Sequence, residues 1–165
     1  MSSARDRRPA WLLFAALAAG IVVADQLTKA WLTSVLPTPN QSMSVVDDLL
    51  RLVFSQNRGG LFGLLQGSAI AFAGVSLLVI AGIVAYHATS SRDPWLSLAL
   101  GLLLGGAIGN LIDRVIYGRV TDFIVWHVKD HEWPAFNIAD AALCIGVALM
   151  VLDMLKPRPA AATPA

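Results

Sequence analysis

WLSLALGLLLGGAIGNLIDRVIY, residues 95–117, is the stretch whose reading decides the fold. Residues 95–109 carry no charge, and then Asn110, Asp113 and Arg114 arrive before the apolar pattern has ended. A helix crossing the hydrocarbon of a bilayer needs about 20 residues, so this run spans only if its polar end is included. A charge near the bilayer centre costs about 2.5–3.5 kcal/mol on insertion scales, and a chain that keeps such charges is using them.

Working outward, the same pattern recurs. Residues 11–32 are apolar apart from Asp25, Gln26 and Lys29, and residues 136–155 carry Asp140 near their start. Residues 66–86 lie in an interval, between Arg58 and Arg92, that holds no charge. These four windows predict four membrane spans, with Asp122 just beyond the third. The expectation is one integral membrane domain over residues 1–165, ending in a disordered Pro/Ala-rich tail at 157–165.

Composition points the same way. The 165 residues are 56% hydrophobic and only 14% charged, with a mean hydropathy of +0.66. Soluble domains carry about 25% charge, so too little polar surface remains to cover a water-facing body. The net charge of +1 says little about partners, but no basic stripe interleaved with aromatics runs along any segment, so no nucleic-acid partner is expected. Cys144, the single cysteine, cannot form an internal disulfide and reads as a small core residue.

Arg5, Arg7 and Arg8 ahead of residues 11–24 resemble the start of a cleavable leader. The same residues equally suit a retained first helix continuing through Asp25 and Lys29.

Orientation follows from the basic residues of the connections. The two tails and the turn at 87–94 hold Arg5, Arg7, Arg8, Arg92, Lys156 and Arg158. The longer connections, 33–65 and 118–135, hold Arg51, Arg58, Arg119 and Lys129. Both termini are therefore expected in the cytoplasm and both long connections outside. At a rise of about 1.5 Å per residue, Asp25 lies about 21 Å along the first helix and Asp113 about 27 Å along the third. Asp140 lies about two turns into a fourth helix that enters near Pro134. The three acids thus approach the same outer face. In the first outer segment, residues 50–55 read as a strand or hairpin and Arg58-Gly59-Gly60 as a turn. Trp126 and Trp133 in the second suit an interfacial belt.

Asn110 and Asp113 are three residues apart, as are Asn137 and Asp140, so each pair shares a helix face. An amide beside a carboxylate fixes its orientation without adding charge. Two carboxylates brought together in a low dielectric cannot both ionise and share a proton, the arrangement of an aspartic peptidase. Spacing leaves two other readings open: buried ion pairs holding helices together, or a proton path through a carrier.

Zinc is disfavoured, since His127, His131 and Glu132 lack an HExxH pattern and a third ligand of suitable placement. A serine peptidase is disfavoured too, because Ser68, Ser76 and Ser97 have no GxSxG context and no intramembrane histidine is placed to serve them. Gly101, Gly105 and Gly109 recur every four residues and predict close packing of the third helix on a neighbour.

Asp25-Gln26-Leu27-Thr28-Lys29, then Asn57-Arg58-Gly59 with Phe62-Gly63, resemble the first two sequence blocks of lipoprotein signal peptidases, the signal peptidase II family. Residues 105–114 and 118–123 resemble its third block, and Phe136-Asn137-Ile138-Ala139-Asp140 its last. The resemblance implies a four-helix membrane bundle with a small β-rich cradle and a further helix on the outer side, and it favours retention of the first helix. It implies an aspartic endopeptidase of the bacterial inner membrane that removes signal peptides before a diacylglyceryl-modified cysteine. The implied catalytic pair is Asp122 and Asp140. The implied supporting residues are Asp25, Lys29, Asn57, Asn110, Asp113, Arg114 and Asn137, with Asp113 held by Arg114 or another cation. No metal or other cofactor is implied, and the partners are prolipoprotein substrates and membrane lipids. Gly60-Leu61 depart from the two small residues common at that point, which places Leu61 near the substrate mouth.

Overall fold

Residues 8–35 contain no internal proline after Pro9 and form one unbroken helix, α1 (Arg8–Val35), which stops just before Pro37 and Pro39. The computed structural model describes residues 8–47, 49–59, 69–90 and 93–155. The expectations for Gly60, Leu61, Phe62, Gly63, Ser68, the start of the second span, the tail, and Arg5, Arg7, Arg92, Lys156 and Arg158 lie outside the described residues.

Three more helices follow: α2 (Ala69–Ser90), α3 (Pro94–Tyr117) and α4 (Ile138–Met154). The ends of α3 are written into its sequence. Asp93 caps its start by accepting from the Trp95 amide at 2.9 Å, and Pro94 occupies the first turn, where no amide is needed. Gly118 ends it in the left-handed conformation (φ 66°), where a side chain would be strained. Three helices, Ala10–Val35, Ile70–Ser90 and Pro94–Tyr117, are long and apolar enough to cross a membrane, while α4 has 17 residues.

The connections build an antiparallel sheet in the order β1-β2-β3-β4. The expected hairpin is present as β1 (Ser42–Val46) and β2 (Leu50–Asn57). Residues 118–135 are not a plain loop: β3 (Val120–Val128) pairs along β2 and turns back to a short β4 (His131–Glu132). The apolar and β-branched run Val120–Val128, in which Val120, Phe123 and Val125 are buried, fits a strand lying on the bundle's end.

Helix α3 is the centre of the bundle, packing against α1, α2 and α4. Its glycines make this possible. A methyl at Gly101 would lie 3.0 Å from the Phe14 carbonyl oxygen, and one at Gly105 would lie 2.7 Å from Ile21 Cβ and 2.9 Å from the Ala18 carbonyl oxygen. Gly105→Ala is therefore expected to force α1 and α3 apart, at about 1–3 kcal/mol of overpacking. A lowered melting temperature in detergent checks it, and an unchanged one would mean that the α1–α3 contact is not tight.

Phe14, Ala18, Ile83, Leu100, Leu103 and Leu104 form one apolar core, and Leu32, Leu36, Phe54 and Phe123 form a second that fastens the sheet to the end of α1.

Three local expectations are corrected. Cys144 is exposed rather than in the core, because α4 packs through Ala139, Ala142 and Gly146 and residue 144 falls on another face. Asp140 is in the first turn of α4, not two turns in, because the helix starts at Ile138 with Asn137 as its cap. His87 is not in a turn but in the last turn of α2, fully buried, and its Nε2 lies 3.1 Å from Ser97 Oγ. The sharp α2–α3 connection creates this pair. It stacks on Phe14 at 4.0 Å and meets Trp11 edge-on, and His87 Nδ1 has no partner among the described residues. A serine sealed in this way, with no acid behind its histidine among the described residues, is a packing contact rather than a nucleophile.

Candidate active site

At the sheet end of the bundle the sequence's scattered charges meet. Lys29 follows Asp25 by one helical turn, so its ammonium folds back to Asp25 Oδ2 at 2.7 Å. It also reaches Asp113 Oδ2 at 3.1 Å and Asn110 Oδ1 at 3.3 Å. All three donors are used. Lys29 is 5% exposed, Asp25 0% and Asp113 1%, so this is a buried two-acid, one-base cluster.

Asp25 Oδ1 accepts the Ala139 backbone amide at 3.0 Å, which ties α1 to the first turn of α4. Gly109 leaves room for it, since a methyl there would lie 2.8 Å from Asp25 Oδ2. Asp113 accepts Gln26 Nε2 at 3.0 Å and the Thr121 amide at 3.0 Å, which fixes the start of β3. The cation on Asp113 is therefore Lys29, and Arg114 points elsewhere. Its guanidinium donates to the Asn110 and Gly59 carbonyls at 3.2 and 3.3 Å and stands over the Phe72 ring.

A second layer is built from asparagines. Asn137 caps α4 by accepting the Asp140 amide at 2.9 Å, while Asp140 Oδ2 accepts the Asn137 amide at 3.2 Å. The same Asn137 donates through Nδ2 to Asp122 Oδ1 at 2.7 Å. Asn57, at the end of β2, donates to Asp122 Oδ2 at 3.0 Å, and Asn110 donates to Asp140 Oδ1 at 2.8 Å. Strand pairing sets the Asn57 contact, because Asn57 stands opposite Val120 and Ser55 opposite Asp122. Every oxygen of Asp122 and Asp140 thus holds one amide bond and keeps a lone pair for a proton or a water.

Both carboxylates line a cavity of about 240 Å³. Asn57, Asn110 and Arg114 form its polar wall with them, while Phe72, Val75, Val79 and Leu143 form an apolar wall below. Helix α2 packs on α3 rather than on α4, which leaves this apolar side between α2 and α4. Burial pushes the Asp122 carboxyl up to about 7, helped by the charge of Asp140; the Asn57 and Asn137 amides and the Lys29 ammonium pull the other way.

All nine residues singled out from the sequence meet here. Two groups were missed. Gln26 bridges Asp25, Asp113 and the Gly109 carbonyl through one nitrogen. A lone amide inside an apolar span beside an acid was the available signal. The backbone amides of Thr121 and Ala139 leave no trace in side-chain patterns. Away from the cluster, Glu132 accepts Arg51 at 2.7 Å and lies 3.4 Å from His127, as an exposed cross-strand group.

The chain is similar to known proteins over most of its length. Residues 17–156 match the family described as Signal peptidase (SPase) II. A lipoprotein signal peptidase of Syntrophomonas wolfei is 44% identical over 142 residues, covering 84% of this chain and 90% of that protein. One from Symbiobacterium thermophilum is 38% identical over 145 residues, covering 87% and 95%. A bacterial membrane enzyme solved in meso at 2.3 Å resolution superposes with a TM-score of 0.78 at 31% identity, covering 84% of this chain and 85% of that one.

Proposed function

The chain belongs to the signal peptidase II family, and on that footing we propose that Asp122 and Asp140 are its catalytic pair. It is an aspartic peptidase that removes signal peptides from prolipoproteins. Asp25, Lys29, Asn57, Asn110, Asp113, Arg114 and Asn137 hold the pair in place. The observation that carries the assignment is that Asp122 and Asp140 line one cavity and are joined through a single side chain, Asn137.

The chemistry follows from one shared proton. The ionised carboxylate takes a proton from water as the water oxygen attacks the scissile carbonyl carbon, and the protonated partner gives its proton to the carbonyl oxygen. As the resulting diol collapses and the C–N bond breaks, one of its hydroxyls gives its proton to the pair, the leaving amine takes a proton from the pair, and one proton remains shared. Asn57, Asn110 and Asn137 keep both carboxylates aimed without adding charge. The apolar wall of α2 and α4 suits a signal helix and the lipid tails of the substrate, which arrive from the side and need not leave the bilayer.

The reading includes the membrane. At about 1.5 Å per residue the 17 residues of α4 are about 26 Å long, the lower end of the spanning range, so α4 is the fourth crossing. Both termini are cytoplasmic, and the sheet and active site are on the outer face of the inner membrane. In a Cys144→Ala background, Val45→Cys on β1 should react with an impermeant maleimide added to intact cells, and Met154→Cys should not. The reverse pattern would invert the topology.

The test of function is incubation of the purified protein alone, in detergent, with a diacylglyceryl-modified prolipoprotein, and mass spectrometry of the products. A single cut immediately before the modified cysteine is expected without a metal or a protein partner. No cut, or a cut elsewhere, overturns the reading.

A pH dependence follows from Asp122. Its raised value means that the fold favours the protonated form, a contribution present at low pH and lost as pH rises through about 7. Loss of that proton leaves the pair with none to share. Cleavage, as kcat/KM, should therefore fall as pH rises through about 7. Asn57→Ala removes a bond that favours the ionised form and should move this alkaline limb to higher pH. A shift to lower pH would sink the assignment of the limb to Asp122.

A further inference from the structure

A second polar cavity, of about 290 Å³, shares no lining residue with the catalytic one. We propose that it binds the phosphate of an anionic phospholipid from the leaflet on the sheet's side. Its polar lining is Gln26, Lys29 and Thr33 from α1, Asp113 and Tyr117 from α3, Arg119 from the link to β3, and Thr121 from β3. Its volume is several times the roughly 30 Å³ that one water occupies.

The charges inside it are not equal. Lys29 spends its donors on Asp25, Asp113 and Asn110, and Asp113 is already held by Gln26, Lys29 and the Thr121 amide. That part of the wall sets two acids against one ammonium and offers an anion no free donor. Arg119 is different: among the described residues no carboxylate pairs with it. The left-handed turn at Gly118 brings Arg119 back beside the end of α3, where Tyr117 is 58% exposed. The Thr33 hydroxyl already donates to the Lys29 and Ala30 carbonyls, so the donors left for phosphate oxygens are a half-buried guanidinium, which grips a phosphate through two bonds, and the phenol of Tyr117 in the same lining.

The surroundings select a lipid rather than a free anion. Leu27 and Val23 on α1 and Ile116 on α3 are exposed, on helices that cross the membrane. They extend from the cavity's level into the hydrocarbon and offer a surface for acyl chains. A soluble phosphate would use the same oxyanion contacts and none of this surface.

Native mass spectrometry of the delipidated full chain in detergent tests the proposal, with dioleoyl phosphatidylglycerol, dioleoyl phosphatidylcholine and inorganic phosphate as separate probes. Wild type should retain one phosphatidylglycerol about tenfold more than Arg119→Gln does, the effect of one charge-assisted contact. Arg119→Lys should recover part of that retention, and Tyr117→Phe should lose part of it. Equal retention by wild type and Arg119→Gln overturns the site. Displacement of the lipid by inorganic phosphate would assign the cavity to a free anion and overturn the lipid. Melting temperatures show whether Arg119→Gln is folded. Should it not be, wild type must still prefer phosphatidylglycerol over phosphatidylcholine, and lack of that preference overturns the proposal.

Discussion

Asp122→Asn and Asp140→Asn are each expected to slow signal-peptide removal by about 10³–10⁴-fold while leaving the protein folded. An amide can neither accept a proton from water nor return one to the leaving nitrogen. It is close in shape, but the fit is imperfect at both positions, since both oxygens of Asp122 accept from Asn57 and Asn137 and both oxygens of Asp140 accept from Asn110 and the Asn137 amide. One of those bonds would become a donor facing a donor, a loss of about 1–3 kcal/mol that the bundle should survive. Because the two carboxylates act as a unit, the double variant should be little slower than either single one. Asp113→Asn is the control. It keeps the Gln26 and Thr121 contacts in part and should retain measurable activity. Single-turnover cleavage with melting temperatures decides between pairs. A folded Asp122→Asn that cuts normally beside a dead, folded Asp113→Asn would move the catalytic role to Asp113.

That control marks how far residues alone could be read. Asn110 and Asp113, like Asn137 and Asp140, share a helix face, and this periodicity made both acids equal candidates. Spacing could not separate them, because what separates them is backbone and strand geometry. Asp113 is claimed by the Thr121 amide and by Lys29, whereas Asp122 reaches the cavity only through the register of β3 on β2. The family motif named Asp122; helical periodicity had no means to. Helices α1 to α3 were legible because their apolar runs, the Asp93–Pro94 start and the Gly118 stop are local signals. Strand β3 was not, since it pairs with β2, from Asn57 opposite Val120 to Leu50 opposite Trp126, far earlier in the chain, and long-range pairing has no local signature. His87 and Cys144 failed for the same reason. Whether a residue on a uniformly apolar helix faces a neighbour or the lipid is decided by the packing partner, and in a membrane both sides are equally greasy.

Lys29→Met should produce the largest stability change of any single substitution, about 3–5 kcal/mol, because it removes one partner of a buried ion cluster and leaves the others. Asp25 and Asp113 are 0% and 1% exposed and lie 2.7 and 3.1 Å from the one ammonium. In a domain of this size that loss corresponds to a fall in melting temperature of about 10 °C. Activity should fall with it, because Lys29 also holds Asn110 Oδ1, and Asn110 Nδ2 holds Asp140 Oδ1. A purely catalytic role would give a different pattern, with activity lost and melting unchanged. A double-mutant cycle sharpens the point. If Lys29 serves as the counter-ion of Asp113, Lys29→Met with Asp113→Asn should be less damaging than the sum of the two single changes, since the second removes a charge that the first has stranded. Additive or worse losses would mean that the two side chains do not compensate each other. The cluster would then be a set of separate hydrogen bonds, and the rigidity of the asparagine layer above it would need another source.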